Sequence, residues 1–186
     1  MCGIVGYYGS FDRDLLKRMN DLLTHRGPDG SGIYYSDVAP VGLGHRRLSI
    51  IDLSAAGAQP MKDAQNKCVI TFNGEIYNYR ELRESLITDG FRFNSQTDTE
   101  ILLNLYLRDG LDMLTNLNGI FAFGIFDTRD DSILLVRDGF GVKPLYYTTT
   151  PKGFLFASEL KALLLEPTVS REISYQALHY YLSYSW

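Results

Sequence analysis

The chain has 186 residues, of which 45% are hydrophobic and 22% charged, and its formal net charge is -4. This composition is that of an ordinary globular chain, long enough for a substantial core, and it excludes a disordered or low-complexity protein. The acidic balance also leaves no basic surface for nucleic acid or for an anionic membrane, so we expect neither as a partner.

The cysteines, the histidines and the N-terminal segment exclude further classes of protein. Two cysteines, Cys2 and Cys68, and three scattered histidines form neither a disulfide framework nor a spaced zinc motif. The N-terminus lacks the basic and apolar segments of a secretion signal, and no apolar run approaches the roughly 18 residues of a membrane-spanning helix. We therefore expect a soluble, cytoplasmic protein without a metal centre.

The first half of the chain alternates between apolar and turn-rich segments. Its β-branched and aromatic residues predict a buried strand at 2–8, and one apolar stripe predicts a helix at 12–23 with Asp12 as its cap. Four glycines and prolines in eight residues predict a loop at 25–32, and small residues predict another at 54–60. Further strands are predicted at 33–36, 41–51 and 67–73, the last of them stopping at Gly74.

The second half predicts two helices followed by two hairpins. Capping-box patterns open the helices at Asn78 and at Thr97, each with a glutamate three residues later, and glycines 90 and 110 are expected to end them. Hairpins are predicted at 120–126 with 133–136 and at 145–149 with 154–157, before a short helix at 159–165 and a helical tail from 174. This pattern is typical of the α+β class, with helices covering antiparallel sheets.

Cys2 stands directly after the initiator methionine, so removal of Met1 would make it the N-terminal residue. It would then hold both a thiol, which attacks as the thiolate, and an α-amine with a pKa of about 8 that exchanges protons near neutral pH. N-terminal threonine enzymes use the same pairing. The alternative is a small buried residue that opens a strand, and these two residues alone favour that alternative.

Asn73 and Gly74 fall at a predicted strand end, where an amide side chain and a main-chain N–H can point into one cleft. Two such donors suit an oxyanion. The alternative is a turn, because Asn-Gly favours positive φ, and the pair alone favours the turn. However, the capping box at Asn78 follows too soon for an ordinary two-residue hairpin, which supports the oxyanion interpretation.

Arg47 and Asp98 are candidates for holding a charged ligand. Arg47 lies among alternating strand residues, where it either presents its planar guanidinium to a carboxylate or is a solvated charge at a strand edge. Asp98 lies in the first turn of a predicted helix, whose dipole would keep it ionised for an ammonium partner, or it stabilises only its own helix. A pair that grips a carboxylate and an ammonium group suits a free amino acid.

Several ordered motifs, spread over nearly the full chain, resemble the N-terminal glutaminase domain of asparagine synthetases. This domain is a class II glutamine amidotransferase of the N-terminal-nucleophile hydrolase family. The Asn-Gly-Glu-Ile-Tyr-Asn and Lys-Pro-Leu-Tyr-Tyr sequences resemble asparagine synthetases more than the phosphoribosyl or glucosamine branches. The matching segments are Met1-Cys2-Gly3-Ile4, His25-Arg26-Gly27-Pro28-Asp29, Arg47-Leu48-Ser49-Ile50, Gln59-Pro60, residues 73–78, Asp98 with Glu100, and residues 137–147.

The resemblance implies hydrolysis of L-glutamine to glutamate and ammonia through a thioester on Cys2. In that scheme the α-amine of Cys2 relays protons, while the Asn73 side chain and the Gly74 main-chain N–H form the oxyanion hole. Arg47 would bind the substrate α-carboxylate, and Asp98 its α-ammonium group. The other residues of the family pattern are Ile50 and Glu75, which would contact the substrate, and Arg26 and Gly27, which would shape the loop over the site.

The resemblance also implies a four-layer αββα sandwich of two antiparallel sheets. The segment Glu166-Pro167-Thr168 is expected to separate a glutaminase domain at 1–166 from a helical tail at 167–186. By the resemblance, the tail would lead to an ATP-dependent synthetase domain that these residues lack. That domain, or a separate synthetase subunit, would accept the ammonia. No cofactor is expected for the glutaminase domain, since ATP and Mg belong to the synthetase domain.

Two other functions compete with glutamine hydrolysis. One is a catalytically silent glutamine-sensing or scaffold domain with the same fold, which retention of Met1 would favour because the Cys2 amine would then be blocked. The other is an N-terminal-nucleophile amidase that cuts a different amide. The pair of Arg47 and Asp98, suited to a free amino acid, weakens this second alternative.

Overall fold

A computed structural model describes residues 1–50 and 52–184, and its strands form two antiparallel sheets. The strands are β1 (Gly3–Gly9), β2 (Gly30–Tyr35), β3 (Val41–Arg47), β4 (Met61–Lys62), β5 (Cys68–Ile76), β6 (Gly119–Asp127), β7 (Ser132–Arg137), β8 (Tyr146–Thr150) and β9 (Gly153–Ala157). The first sheet has the order β2-β3-β1-β9-β8, and the second has the order β4-β5-β6-β7. The central strands β1 and β5 therefore lie in different sheets.

The described residues also form five α-helices and three short 3₁₀ turns. The helices are α1 (Arg13–Asp21), α2 (Tyr79–Thr88), α3 (Asp98–Asp109), α4 (Leu160–Leu163) and α5 (Tyr175–Tyr184). The 3₁₀ turns are Thr24–Arg26, Ala55–Gly57 and Gly110–Asn116. Among the described residues, no helix is long and apolar enough to cross a membrane.

Among the described residues, three apolar clusters lie between the layers and pack them together. One lies between the sheets and includes Ile4, Leu43, Val69, Phe126 and Phe156. The other two bind helices to the outer sheet faces, so that α1 and α4 cover the first sheet and α2 and α3 cover the second. This is the four-layer αββα sandwich, which confirms the predicted fold class.

The alternation of side chains along the strands decides which residues face the space between the sheets. Ile4, Leu43 and Val69 point into that space. Because successive strand residues alternate between the two faces, Cys2, Arg47 and Asn73 share the inward side of their strands. Three residues far apart in sequence are thus directed towards one region.

Three predicted strands have other bounds in the structure, and the two-residue strand β4 was not predicted. Residues 30–32, predicted as loop, begin β2, because they pair with the end of β3. The strand predicted at 41–51 ends at Arg47, and Ile51 lies outside the described residues. The strand predicted to stop at Gly74 continues to Ile76, since β6 pairs with it along its full length. In each case a neighbouring strand decides the boundary.

The predicted capping box at Asn78 is wrong, although the helix it was expected to open is present. The Asn78 side chain makes no cap hydrogen bond; its Nδ2 donates to the Asn116 carbonyl and its Oδ1 accepts from the Asn118 N–H. At the next helix Thr97 caps as predicted, accepting from the Glu100 N–H at 3.3 Å. Gly110 ends that helix with a φ of 59°, as a C-cap glycine should.

The end of the chain has two parts. Glu166 and Val169 are buried, so the packed body continues past the proposed domain boundary at 166. The predicted helical tail is present as α5, and each of its residues that the structure describes is exposed. The division into domains stays a prediction.

Candidate active site

A cavity opens between the two sheets where β1 begins and β3 ends. Seven of the nine site residues predicted from sequence line it, namely Cys2, Arg47, Ile50, Asn73, Gly74, Glu75 and Asp98. The cavity wall also contains Met1, Leu48, Asp52, Gly57, Gln59, Phe72, Thr97, Thr99 and Lys143. Folding therefore gathers the candidate nucleophile, amide donors, cation and carboxylate around one space.

Cys2 is half-buried at the cavity wall. Its Sγ accepts a hydrogen bond from the Leu48 N–H at 3.4 Å and lies 3.7 Å from the Leu48 carbonyl. Burial raises the pKa of the Cys2 thiol, although the Leu48 contact and the Arg47 charge oppose the shift. The resting thiol is therefore protonated at neutral pH and needs a nearby base before it can attack.

Arg26 and Gly27 lie behind the cavity instead of in its wall. The Arg26 Nε donates to the Cys2 carbonyl at 2.9 Å, and its other side contacts Glu159 at 3.0 Å. A Cβ on Gly27 would come within 2.4 Å of the Arg46 carbonyl, so this position needs glycine for the loop to approach β3. Both residues thus hold the main chain that carries Cys2 and Arg47.

The Arg26 contact is part of a charged cluster around Glu159. This carboxylate also accepts from His25 at 2.8 Å and pairs with Lys161 at 3.1 Å. Although burial opposes ionisation, hydrogen bonds from Arg26, His25 and Lys161 lower the pKa of Glu159 to about 2. The carboxylate therefore stays charged near neutral pH and orients Arg26 towards Cys2.

Asn73 is a buried strand residue with an unused donor. Only 1% of it is exposed, and its Nδ2 has no hydrogen-bond partner within residues 1–50 and 52–184. An amide N–H buried without a partner costs about 1 to 3 kcal/mol. Because Asn73 lies within β5, three residues before the end of the strand, and not in a turn, the turn interpretation of Asn-Gly is wrong.

The Gly74 N–H points outward from the edge of β5 that lies away from β6. Residues 67 and 77 bond to residues 128 and 118, which flank the neighbouring strand β6. In the β5–β6 ladder the main-chain N–H and carbonyl groups of the odd residues of β5 therefore face β6, and those of the even residues face away. On that outer edge the Phe72 N–H donates to the Gln59 Oε1 at 2.6 Å, and the Ile76 N–H donates to the Asp98 Oδ2 at 3.1 Å. Gly74 lies between them, and in the described structure its N–H has no acceptor.

Gly74 also needs the absence of a side chain. A Cβ at this position would lie 2.4 Å from the Ile120 carbonyl and 2.7 Å from the Phe121 Cα. The main chain of β6 thus approaches too closely for alanine. Close packing places an amide donor at the cavity without a side chain in the way.

Arg47, the last residue of β3, extends its guanidinium into the cavity wall. Its Nη1 donates to the Ser54 carbonyl at 2.9 Å, and its Nη2 donates to the Asp52 carbonyl. These bonds orient the side chain without neutralising it, since no carboxylate of the described chain forms an ion pair with Arg47. A planar cation with remaining N–H groups can still bind a carboxylate ligand.

Asp98 begins α3 with only 5% of its surface exposed. Burial raises its pKa to about 6, even though hydrogen bonds from main-chain N–H groups, including that of Ile76, lower it. The helix terminus and these hydrogen bonds therefore do not offset the desolvation of the carboxyl, which at a pKa of about 6 is still mostly ionised at pH 7. A carboxylate buried without a cation is stabilised when an ammonium group binds beside it.

Sequence reasoning missed Gln59, Thr99 and Lys143 as cavity residues. Gln59 and Lys143 stand inside motifs that support the resemblance, but nothing in their spacing indicates where their side chains point. Lys143 is buried and forms no ion pair with the acidic groups of the described residues. It adds positive charge to the cavity wall.

Comparison with known proteins identifies the family of the chain. The model of the family described as "Glutamine amidotransferase domain" matches residues 1–186. Asparagine synthetase [glutamine-hydrolyzing] 1 of Bacillus subtilis is 42% identical over 193 residues, covering 100% of this chain and 30% of that protein. Amidase chry2 of Gibberella zeae is 44% identical over 150 residues, covering 79% of this chain and 22% of that protein. The chain thus spans less than a third of these curated relatives.

A solved structure gives an independent comparison of the fold. Glutamine phosphoribosylpyrophosphate amidotransferase of B. subtilis superposes with a TM-score of 0.76 over 87% of this chain and 43% of its own, at 23% sequence identity. At this identity the likeness establishes the fold alone. The family match and the conserved fold lead to one conclusion: the chain belongs to the glutamine amidotransferase domain family, with glutamine-hydrolysing asparagine synthetases among its relatives.

Proposed function

We propose that this domain hydrolyses the side-chain amide of L-glutamine to glutamate and ammonia. The observation that carries the proposal is the cavity itself, which combines Cys2, the Asn73 and Gly74 donors that have no acceptor among the described residues, and the Arg47 and Asp98 charges. Each group answers one need of the reaction: a nucleophile, an oxyanion hole, and recognition of both ends of a free amino acid.

The first half of the reaction forms a thioester. With Met1 removed, the free α-amine of Cys2 takes the thiol proton, and the thiolate attacks the amide carbon of glutamine. The carbonyl oxygen becomes an oxyanion that accepts hydrogen bonds from the Asn73 Nδ2 and the Gly74 N–H. The α-ammonium group of Cys2 then returns its proton to the amide nitrogen of the substrate, the C–N bond breaks, and ammonia leaves.

The second half regenerates the enzyme. Water attacks the thioester carbon while the Cys2 amine accepts a water proton, and a second oxyanion forms in the same hole. The C–S bond then breaks, the thiolate regains its proton, and glutamate is released. Because both tetrahedral states place charge on the same oxygen, the two donors act twice in each turnover.

Substrate selection rests on the two charged groups. Arg47 binds the α-carboxylate and Asp98 binds the α-ammonium group, while Ile50 and Glu75 complete the pocket. An amide on a peptide or polymer lacks at least one of these free charges. The cavity is therefore built for a free amino acid, which favours glutamine hydrolysis over the amidase activity named for the Gibberella relative.

We further propose that the ammonia passes to a synthetase domain or subunit of the asparagine synthetase type. The supporting observation is the name and length of the B. subtilis relative, in which a region similar to this chain makes up 30% of the protein. In this proposal the glutaminase domain uses no cofactor, ATP and Mg act only in the synthetase, and the protein works in the cytoplasm. A silent sensing domain would bind glutamine in the same cavity without turning it over.

A glutamate and ammonia assay on protein whose intact mass shows loss of Met1 tests the proposal. We expect L-glutamine to yield equal amounts of glutamate and ammonia, and both D-glutamine and an N-acylated glutamine to react at least about 10²-fold more slowly. Protein that retains Met1 serves as the matched control and should be inactive. Glutamine binding without turnover by processed protein would instead favour the silent domain.

A further inference from the structure

The main chain of Phe72 is held from outside its own sheet. Phe72 immediately precedes Asn73 and Gly74 on the free edge of β5, where pairing with β4 has already ended at Ile70. Its N–H and its carbonyl both face that edge, away from β6. Without further partners these two groups would be buried and unsatisfied, which is costly in a protein interior.

Gln59 satisfies the first of these groups. Its Oε1 accepts the Phe72 N–H at 2.6 Å, and its Nε2 donates to the Thr99 Oγ1 at 3.1 Å. The side chain is buried, so both bonds are shielded from water. Gln59 therefore ties the edge of β5 to the start of α3, where Asp98 binds the Ile76 N–H.

His45 satisfies the second group from the opposite sheet. Its Nε2 lies 3.0 Å from the Phe72 carbonyl, and because a carbonyl oxygen only accepts, Nε2 carries the proton. Burial lowers the pKa of His45 to about 4, so the ring is neutral near pH 7. The imidazole thus links β3 to β5 directly beside the two proposed oxyanion donors.

We propose that Gln59 and His45 are positioning residues of the oxyanion hole, which hold the Phe72 main chain and thereby aim the Gly74 N–H and the Asn73 amide. The inference rests on the proposed glutamine hydrolysis and adds two residues to it. Neither touches the reacting atoms. They hold the N–H and the carbonyl of one residue, and so the two successive peptide units that meet at Phe72, from different parts of the fold. The donors that follow cannot move without breaking a buried bond.

We call this arrangement, Gln59 and His45 bound to the main chain of Phe72, the clamp. Its loss should lower kcat more than it changes KM. Charge on the substrate oxygen develops only in the transition state, so misplaced donors lower kcat while the glutamine charges still bind Arg47 and Asp98. Loss of one oxyanion donor typically costs about 10²- to 10³-fold, and displacement of a donor costs less than its loss. We therefore expect a fall in kcat of about 10- to 100-fold with KM changed less than about twofold.

Paired substitutions test the clamp. Gln59→Met and His45→Met keep the approximate volume and remove the hydrogen bonds, and both should show the fall in kcat. Gln59→Glu keeps an acceptor for the Phe72 N–H, and His45→Gln keeps a donor for its carbonyl, so these variants should recover most of the activity. Tyr106→Phe is the matched control, because it removes one buried hydrogen bond at the far end of β5.

Alkylation of Cys2 by iodoacetamide separates the oxyanion hole from the nucleophile. This displacement at carbon forms no oxyanion, so its rate should be the same in Gln59→Met as in the wild-type protein. If alkylation slows in parallel with turnover, the clamp acts on Cys2 and the proposal is overturned. An unchanged kcat in both Met variants, or an equal fall in Tyr106→Phe, overturns it as well.

Amide hydrogen exchange reports on the clamp without reference to turnover. We expect faster exchange in Gln59→Met at the Phe72 amide, which loses its acceptor, and no change at residues 120–127 of β6. An inactive wild-type protein with this exchange pattern would disprove glutamine hydrolysis while leaving the clamp in place. An active wild-type protein whose Gln59→Met variant shows neither effect would disprove the clamp alone.

Discussion

The two ends of β5 differ in whether the polar groups around them have hydrogen-bond partners. At the first end, near Cys68, the Asp127 carboxylate accepts from the Tyr106 hydroxyl at 3.1 Å and from the Arg129 guanidinium at 2.9 Å. Although burial opposes ionisation, the Arg129 bonds lower the pKa of Asp127. Burial also raises the pKa of the Cys68 thiol to about 12, with the Asp127 charge adding to the shift.

At the second end the same strand leaves its polar groups unsatisfied. The Asn73 Nδ2 and the Gly74 N–H have no partner among the described residues, and the buried Asp98 has a raised pKa. These groups lie at the cavity wall with Cys2. The difference shows that β5 has a purely structural role at one end and forms a preorganised ligand site at the other. There a bound ligand can accept the hydrogen bonds that the folded chain does not make.

Exchanging the two cysteines for alanine gives the largest expected contrast. Cys2→Ala should lower glutamine turnover at least about 10³-fold, because the nucleophile is lost, and leave the melting temperature unchanged. Cys68→Ala should keep turnover and lose about 1 kcal/mol of unfolding free energy, since it opens a small space in the core. A glutaminase assay and thermal denaturation of both variants measure this, and equal turnover by the two would contradict the contrast.

Asn73→Ala addresses the unsatisfied end directly. We expect kcat to fall about 10²- to 10³-fold with little change in KM, because an oxyanion donor acts in the transition state. Stability should be maintained or increased, since the substitution removes a buried donor that has no partner. Chemical denaturation alongside steady-state kinetics tests both parts, and a destabilised variant with normal kcat would show that Asn73 is structural.

Asp98→Asn should lower glutamine affinity and raise stability. The amide still accepts the Ile76 N–H but no longer attracts the substrate ammonium group, so KM should rise about 10- to 100-fold. The folded-state pKa of about 6 lies above the ordinary 3.8, so the protonated carboxyl stabilises the fold below pH 3.8 and this contribution is lost as pH rises through 6. At pH 8 the variant should therefore be more stable by about 1 to 2 kcal/mol.

The pH dependence separates these two effects. The stability gain of Asp98→Asn should shrink as pH falls from 8 to 4, when the wild-type carboxyl is protonated. The wild-type KM for glutamine should rise below about pH 6 for the same reason, and the variant KM should be flat in this range. A stability gain that is independent of pH would exclude Asp98 ionisation as its cause.

Tyr106→Phe gives the smallest expected effect. Loss of its hydrogen bond to Asp127 should cost about 1 kcal/mol of unfolding free energy, because Arg129 still pairs with the carboxylate. Glutamine kcat and KM should stay within about twofold of the wild-type values. Denaturation and kinetics would refute the division of β5 if this variant lost turnover as strongly as Asn73→Ala.

The order of elements could be predicted from local patterns, and the errors occur where pairing overrides them. Gly30 to Gly32 have the composition of a loop, yet β3 supplies hydrogen-bond partners that make them a strand. Asn-Gly has the composition of a turn, yet β6 extends through it because Gly74 allows close approach. The Asn78 side chain bonds to residues 116 and 118, distant in sequence, instead of capping its own helix.

The site shows the same division. Cys2, Arg47, Asn73, Gly74 and Asp98 could be singled out because each offers a chemical group that amide hydrolysis needs. The resemblance to glutaminase domains then favoured the catalytic interpretation of these residues and supplied the remaining candidates. Only the packing of two sheets could bring those groups into one cavity, leave the Asn73 and Gly74 donors without an acceptor in residues 1–50 and 52–184, and raise the pKa of Asp98. These properties depend on burial and on partners distant in the chain, whereas the chemical groups are present in each residue alone.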